Sequence, residues 1–187
     1  MDIQLILQHI SRGNRQAFAA VVDRYQRPLF SYLGRMGLPQ AMAEEIAQET
    51  FLRAWQNLGQ YDPKRAEFST WLFTIGRRLA LNALERASHR LEVGQEDHLI
   101  PGEESEDHNT PQPLERLELQ QQQQRLQAAL RRLPLHDRSA LALAYLQGLD
   151  LKTIAAIENC SEAALKVRLH RAREQLRHWL EATDGTA

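Results

Sequence analysis

The sequence predicts an all-α protein, built from two small helical domains that an acidic flexible linker joins. Three observations support this fold class. Helix-favouring residues abound, whereas the 187-residue chain has only 9 glycines and 7 prolines. Apolar residues recur at helical spacing, and no alternating strand pattern occurs. Between residues 91 and 113 that periodicity stops, and acidic residues, prolines and glycines take its place.

The N-terminal domain divides into four predicted helical segments. Isoleucines and leucines at helical spacing predict a short first helix within residues 3–10. The second follows Asn14, which we expect to cap it, and it contains Pro28, which can kink it. The third covers residues 40–58, and the fourth runs from Phe68 to about residue 90.

The C-terminal domain is predicted to contain four more helices. The first ends before Pro134, which cannot continue it. Asp137 is expected to cap the second, which ends at Gly148. Two further helices cover residues 149–158 and 162–180. Between them they have the spacing of a helix-turn-helix motif.

Charge is distributed unevenly along the chain, although the net charge is only -1. Residues 1–90 contain twelve lysines and arginines against eight acids, and residues 114–187 contain eleven against nine. Residues 91–113 contain seven acids and neither lysine nor arginine. The predicted domains are therefore residues 1–90 and 114–187, and residues 91–113 form an acidic linker. Fully extended, a linker of this length reaches roughly 75 Å.

Composition argues against several classes of protein. Apolar residues make up 43% and charged residues 25%, which is typical of globular domains. No apolar run approaches the roughly 20 residues that span a bilayer, and the N-terminus does not resemble a secretory signal. The single cysteine, Cys160, fits a reducing compartment, so we expect a cytoplasmic protein. An enzyme is the least supported class, because no metal, nucleophile or phosphate-loop pattern occurs; we expect no cofactor and no metal.

The predicted helix-turn-helix has several features of a DNA-binding unit. Ala155 on its first helix is small enough for a close helix crossing, residues 159–161 form a tight corner, and Ser161 is a good N-cap. The second helix is basic, which suits the major groove and its phosphates. An ordinary helical hairpin with a solvated basic face is the alternative. The basic residues are Lys166, Arg168, Arg171, Arg173 and Arg177.

Three segments resemble a known family, the extracytoplasmic function sigma factors, which are the small two-domain (group 4) members of the bacterial sigma-70 family. Residues 166–173 (KVRLHRAR) resemble its promoter-reading helix. Residues 43–55 (AEEIAQETFLRAW) resemble its polymerase-binding helix, and residues 68–77 (FSTWLFTIGR) its promoter-melting helix. The resemblance implies a promoter-specificity subunit of RNA polymerase that starts transcription at cognate promoters. It also implies control by an anti-sigma factor.

The resemblance assigns polymerase binding to one face of the helix that contains Glu45. At about 100° per residue, this face lies opposite the buried stripe of the same helix. Taken alone, the pattern is explained equally well by a polar helix face that contacts only solvent. The family implies that the face binds the beta-prime clamp helices of the core enzyme, with the beta flap as a second contact. The face consists of Glu45, Gln48, Glu49, Leu52 and Gln56.

Recognition and melting of the -10 element is implied for a loop and the helix that follows it. Capture of a single strand needs cations for phosphates and groups that hold unstacked bases. Trp71 lies near the apolar stripe, so we expect it to pack in the core rather than to stack on a base. Arg78 and Asn82 depart from the family's usual Asn and Asp. The predicted -10 contacts are Lys64, Arg65, Arg77, Arg78, Asn82, Arg86 and Arg90.

Recognition of the -35 element is implied for the basic helix of the helix-turn-helix. The family's base-reading positions fall on Lys166, Val167 and His170, with Arg171 nearby. Lysine bonds to guanine edges, and valine contacts a thymine methyl group. Lys152, Arg168 and Arg173 are assigned to phosphates, or in the case of the two arginines to neighbouring acids.

Two other functions remain open on the residue pattern alone. One is a dimeric helix-turn-helix regulator with residues 1–90 as a ligand-sensing domain, and the other is a helical adaptor that does not contact DNA. Tight binding of an operator by the free protein would favour the regulator. A net charge of -1 and an acidic linker predict instead that the free chain binds DNA weakly. We therefore expect the chain to bind promoter DNA only after it has bound a larger, cationic assembly.

Overall fold

The computed structural model describes residues 3–92, 113–146 and 148–184. This part of the chain forms α-helices and short 3₁₀ turns without a strand, which confirms the predicted all-α class. The predicted linker lies outside the described residues except at its two ends, where Glu92 ends one helix and Pro113 begins the next. None of the described helices is both long and apolar enough to cross a membrane.

Four helices form the N-terminal half, as predicted. Leu58–Gln60 forms a 3₁₀ turn that ends the third helix two residues earlier than expected. The second helix runs on through Pro28 to Arg35. The helices are α1 (Ile3–Ser11), α2 (Phe18–Arg35), α3 (Gln40–Gln56) and α4 (Phe68–Glu92).

The prediction that Asn14 caps the second helix is wrong. Asn14 precedes a 3₁₀ turn, Arg15–Ala17, and its side chain makes no capping hydrogen bond. α2 then begins at Phe18. The 3₁₀ turn uses the first residues that the pattern assigned to the helix, because a tighter turn often precedes an α-helix.

α2, α3 and α4 pack closely around Gly76 in the middle of α4. A Cβ atom at this glycine would lie 2.9 Å from Leu29 Cδ1 in α2 and 3.4 Å from Thr50 Oγ1 in α3. Thr50 is buried and donates its hydroxyl hydrogen bond to the Ile46 carbonyl at 2.6 Å. The three helices therefore cross so closely that a methyl group at this position would force the buried Leu29 side chain to shift.

The described residues of the C-terminal half also form four helices. The prediction that Asp137 caps the second of them is wrong, because that helix already begins at Leu135, directly after Pro134. Asp137 instead lies in the first turn, where a carboxylate favours the positive end of the helix dipole. The helices are α5 (Pro113–Arg132), α6 (Leu135–Leu146), α7 (Leu151–Glu158) and α8 (Glu162–Asp184).

α7 and α8 form the predicted helix-turn-helix. Asn159 ends α7 in the left-handed conformation, with a φ of 52°. Ser161 Oγ accepts a hydrogen bond from the Ala164 amide at 3.2 Å, which confirms the predicted N-cap. Ala155 and Leu165 are buried, as expected for the crossing point of the two helices.

A second cap escaped prediction. The Asp150 carboxylate accepts a hydrogen bond from the Thr153 amide at 2.7 Å and so caps α7. This bond favours the ionised form and holds the pKa of Asp150 below its usual range.

The two halves pack directly on each other. α2 contacts α6, and α4 contacts α7. The Tyr32 hydroxyl lies 2.8 Å from the Ser139 hydroxyl in a buried hydrogen bond. Arg138 Nη1 donates to the Met36 carbonyl at 2.7 Å, across the same boundary. Burial raises the pKa of Tyr32, so this tyrosine stays protonated where the halves meet.

Candidate polymerase and nucleic-acid interface

The predicted polymerase-binding face lies on the outer side of α3. Glu45, Gln48 and Gln56 are exposed, and Glu49 is partly buried and accepts a hydrogen bond from Arg53 Nε at 2.6 Å. Leu52, in the middle of this polar surface, is 49% exposed. Because the opposite side of α3 holds the buried residues, the face is free of any role in the core.

Exposed apolar side chains are informative because folding does not account for them. Among the described residues, four large hydrophobic side chains are exposed: Leu5, Leu52, Tyr145 and Val167. Two of the four occupy predicted contact positions, one on the polymerase-binding face and one on the promoter-reading helix.

The loop before α4 is ordered by its own hydrogen bonds. The Asp62 carboxylate accepts from the Lys64 amide at 2.9 Å, and the Tyr61 hydroxyl donates to the Ala66 carbonyl at 3.1 Å. Lys64 and Arg65 are exposed on this loop. The loop therefore presents two cations from a fixed turn.

Trp71 packs where the sequence placed it, beside the core. It is partly buried, with its ring centroid 5.4 Å from that of Tyr61 and 5.6 Å from that of Phe68. Phe68 is fully buried at the centre of this aromatic cluster. The cluster joins the start of α4 to the loop and so sets the position of the loop's cations.

The predicted -10 residues of α4 divide into two groups. Arg78, Asn82 and Arg86 are exposed and, at a spacing of four residues, share one face of the helix. Arg77 points elsewhere: its side chain is only 12% exposed and pairs with Glu158 of α7. The side chain of Arg90 lies outside the part of the chain that the structure describes.

The predicted -35 residues lie mostly on the outer face of the helix-turn-helix. Lys166, His170 and Arg171 are exposed on α8, and Val167 is 51% exposed among them. Lys152 is exposed on α7. These side chains form a basic surface around one apolar side chain, which can serve phosphates, base edges and a thymine methyl group.

Two of the predicted -35 arginines contact the protein itself. Arg173 is exposed, and its guanidinium lies 5.9 Å from the centre of the Tyr145 ring. Arg168 is partly buried and donates to Glu158 at 3.2 Å, with Asp137 3.6 Å away. Of the two predicted partners of Arg168, a phosphate or a neighbouring acid, this conformation shows the acids.

Sequence reasoning missed Glu158, the last residue of α7. Its side chain is fully buried and accepts hydrogen bonds from Arg77, Arg168 and Ser139. One signal was available, because Glu158 lies four residues after the buried Ile154 and so on the apolar face of its helix. A buried carboxylate needs cationic partners, and here they come from both halves of the chain.

Fold and site together define a helical, DNA-reading transcription initiation factor of the sigma-70 type. The model "Sigma-70 region 2" matches residues 21–90, and "Sigma-70, region 4" matches residues 123–176. The chain is 31% identical to the ECF RNA polymerase sigma factor SigW of Bacillus subtilis, over 96% of this chain and 97% of that one. It belongs to the extracytoplasmic function family of RNA polymerase sigma factors.

Further relatives agree with this assignment. The RNA polymerase sigma-H factor of Pseudomonas aeruginosa is 29% identical, over 92% of this chain and 91% of that one. The solved structure of CnrH in complex with the cytosolic domain of CnrY superposes with a TM-score of 0.68 at 25% identity, covering 95% of this chain and 96% of that one. The protein is therefore not an enzyme: it directs core RNA polymerase to promoters and initiates transcription.

Proposed function

We propose that the two halves of this sigma factor divide promoter recognition between them. Residues 1–90 bind core polymerase and recognise and melt the -10 element, whereas residues 114–187 read the -35 element as duplex. Residues 91–113 connect them. The observation that carries this division is the pair of exposed surfaces, one on α3 and α4 in the N-terminal half and one on α8 in the C-terminal half.

For the -35 element, the exposed residues of α8 carry distinct roles. Lys166, Val167 and His170 contact base edges, with Arg171 beside them, and Lys152 and Arg173 contact phosphates. Their exposure supports these roles, because a major-groove helix needs side chains that no core contact holds back. For the -10 element, the loop cations and the exposed face of α4 contact the separated strand.

For the polymerase, the α3 face binds the beta-prime clamp helices. Its acids suit a basic partner, and Leu52 supplies an apolar anchor at the centre of a polar rim. The beta flap binds the C-terminal half, where a cavity of about 450 Å³ opens between α5, α6 and α8. Leu130, Leu141 and Leu176 line this cavity, which gives a second apolar contact.

We further propose that the protein acts in the cytoplasm and that an anti-sigma factor controls it. The family resemblance implies such a partner, and the CnrH structure, which resembles this chain over nearly its full length, is a complex with a second protein. A partner that covers the α3 face and the α8 surface would block polymerase and promoter at once.

Run-off transcription with purified core polymerase tests the proposal. We expect initiation from a cognate promoter with the wild-type chain, and loss of core binding in Leu52→Ala. Leu5→Ala is the matched control, since Leu5 is 45% exposed on α1, away from the α3 face. Equal core binding by both variants would contradict the assigned face. Tight operator binding without polymerase would contradict the division of labour.

A further inference from the structure

The contact between the two halves uses cations that promoter binding needs. Arg77 of α4 donates to both carboxylate oxygens of Glu158, from Nε at 2.8 Å and from Nη2 at 2.9 Å. Arg168 of α8 donates to one of the same oxygens at 3.2 Å. One buried carboxylate thus neutralises a predicted -10 arginine and a predicted -35 arginine together.

The surroundings of Glu158 hold this arrangement firmly. Ser139 donates to the carboxylate and shares a hydrogen bond with the Tyr32 hydroxyl of the other half. His136 lies beside the same group of side chains, and its Nδ1 is 2.8 Å from Arg77 Nη2. Separation of α4 from α7 would leave Glu158 without Arg77 and Ser139 without the Tyr32 hydroxyl, whereas Arg168 and Ser139, in the same half as Glu158, would remain beside it.

The closed arrangement cannot read a promoter. Arg77 and Arg168 donate to the same oxygen, so only a few ångströms separate their guanidinium groups. Two promoter elements about 17 base pairs apart lie roughly 58 Å from each other at 3.4 Å rise. The two halves must therefore separate before their cations can reach both elements.

We infer that the contact between Arg77 and Glu158 is an autoinhibitory latch: it keeps the free chain closed, with a predicted -10 arginine sequestered, until polymerase draws the halves apart. The inference rests on the proposed function for the division of the promoter between the halves, and on the family resemblance for the -10 role of Arg77. The closed shape and the neutralised Arg77 add to low net charge as reasons for the weak DNA binding that the sequence predicts for the free chain.

The shape of the free chain gives a test that needs neither DNA nor polymerase. In small-angle X-ray scattering we expect Glu158→Gln to raise the radius of gyration by several ångströms, because a neutral amide loses the ion pair with Arg77 that joins the halves. A compact chain of this length has a radius of gyration of about 16 Å. Glu162→Gln is the control, since Glu162 is exposed on α8 and its loss changes the net charge equally.

A second variant guards against misfolding around the buried Glu158. Arg77→Gln removes the same contact from the α4 side, and circular dichroism verifies that both variants stay helical. We expect Arg77→Gln to open the chain as Glu158→Gln does, and the double variant to open it no further. Wild-type dimensions in both single variants would overturn the latch.

Binding of a promoter fragment that carries both elements, with its -10 segment already single-stranded, supplies the functional readout for the free chain. If the closed form makes up nine-tenths of the population, opening raises the apparent affinity about tenfold. We expect that gain in Glu158→Gln and a much smaller one in Glu162→Gln. Equal gains in affinity for the two variants would show that only the change in net charge matters and would refute the latch. Opening without any binding of this fragment would instead refute the proposed promoter contacts and leave the latch standing.

Discussion

Gly37, just after α2, offers a sharp test of how the halves are joined. Its φ is 88°, and a Cβ atom there would lie 2.5 Å from Arg138 Nη1, closer than any real contact. Gly13 has nearly the same backbone conformation, with a φ of 94°, but nothing lies within 4 Å of its Cβ position. Gly37→Ala and Gly13→Ala therefore cause the same backbone strain, but only Gly37→Ala adds a collision with Arg138.

The magnitude follows from the bonds of Arg138. An alanine with positive φ costs about 1–2 kcal/mol at either position. At Gly37 the collision also drives the Arg138 guanidinium from the Met36 carbonyl, which it now reaches at 2.7 Å. A hydrogen bond from a charged group contributes about 1.5–3 kcal/mol. We expect Gly37→Ala to lose about 2 kcal/mol more than Gly13→Ala.

Urea unfolding, followed by circular dichroism, measures the difference. With a denaturant slope of about 2 kcal/mol/M, the midpoint of Gly37→Ala should fall about 1 M below that of Gly13→Ala. Two equal midpoints would show that Arg138 moves aside without cost. That result would refute the argument that its contact with Met36 fastens the two halves.

Three further pairs of measurements test the remaining assignments. In duplex titrations with polymerase present, Lys166→Ala should cost about 1–3 kcal/mol of binding free energy on the cognate -35 sequence and relax specificity there. Lys152→Ala should instead weaken binding to all sequences alike and reduce the slope of affinity against salt by about 1. Gly34→Ala should stabilise by about 0.4–1 kcal/mol, since its Cβ meets open space, whereas Gly76→Ala should destabilise despite its better helix propensity, both by urea unfolding. Asp150→Ala should destabilise at neutral pH. Because the folded pKa of Asp150 is depressed, its contribution is present above the unfolded pKa and disappears as pH falls through the folded pKa, which unfolding at pH 7 and pH 2 checks.

Periodicity was enough to predict the helices, because each half buries one continuous apolar stripe per helix. The helix-turn-helix was also predictable in detail: Ala155, Ser161 and Leu165 have the sizes and capping groups that the corner demands. The caps that failed, Asn14 and Asp137, failed for a local reason. A 3₁₀ turn or a proline can begin the helix at a neighbouring residue, and a single sequence gives no means to choose.

The contact between the halves was beyond prediction from the pattern. In the sequence, Arg77 is indistinguishable from the solvated cations of α4, and Glu158 resembles any charged residue at the end of a helix. Their pairing joins residues far apart in sequence, across two helices that no local signal brings together. Only the position of Glu158 on the apolar face of α7 hinted that this carboxylate is buried and so requires partners.

The buried pair also bears on how polymerase could activate the chain. A ligand shifts a conformational equilibrium only through its different affinities for the two states. Polymerase would supply that difference if it binds the α3 face and the C-terminal half at two distant places, because the closed chain cannot satisfy both contacts. Moving the population from about 1% open to about 99% open needs about 5.5 kcal/mol of difference in binding free energy between the two states. Two apolar contacts, at Leu52 and in the cavity beside Leu130, are of the right order to provide it.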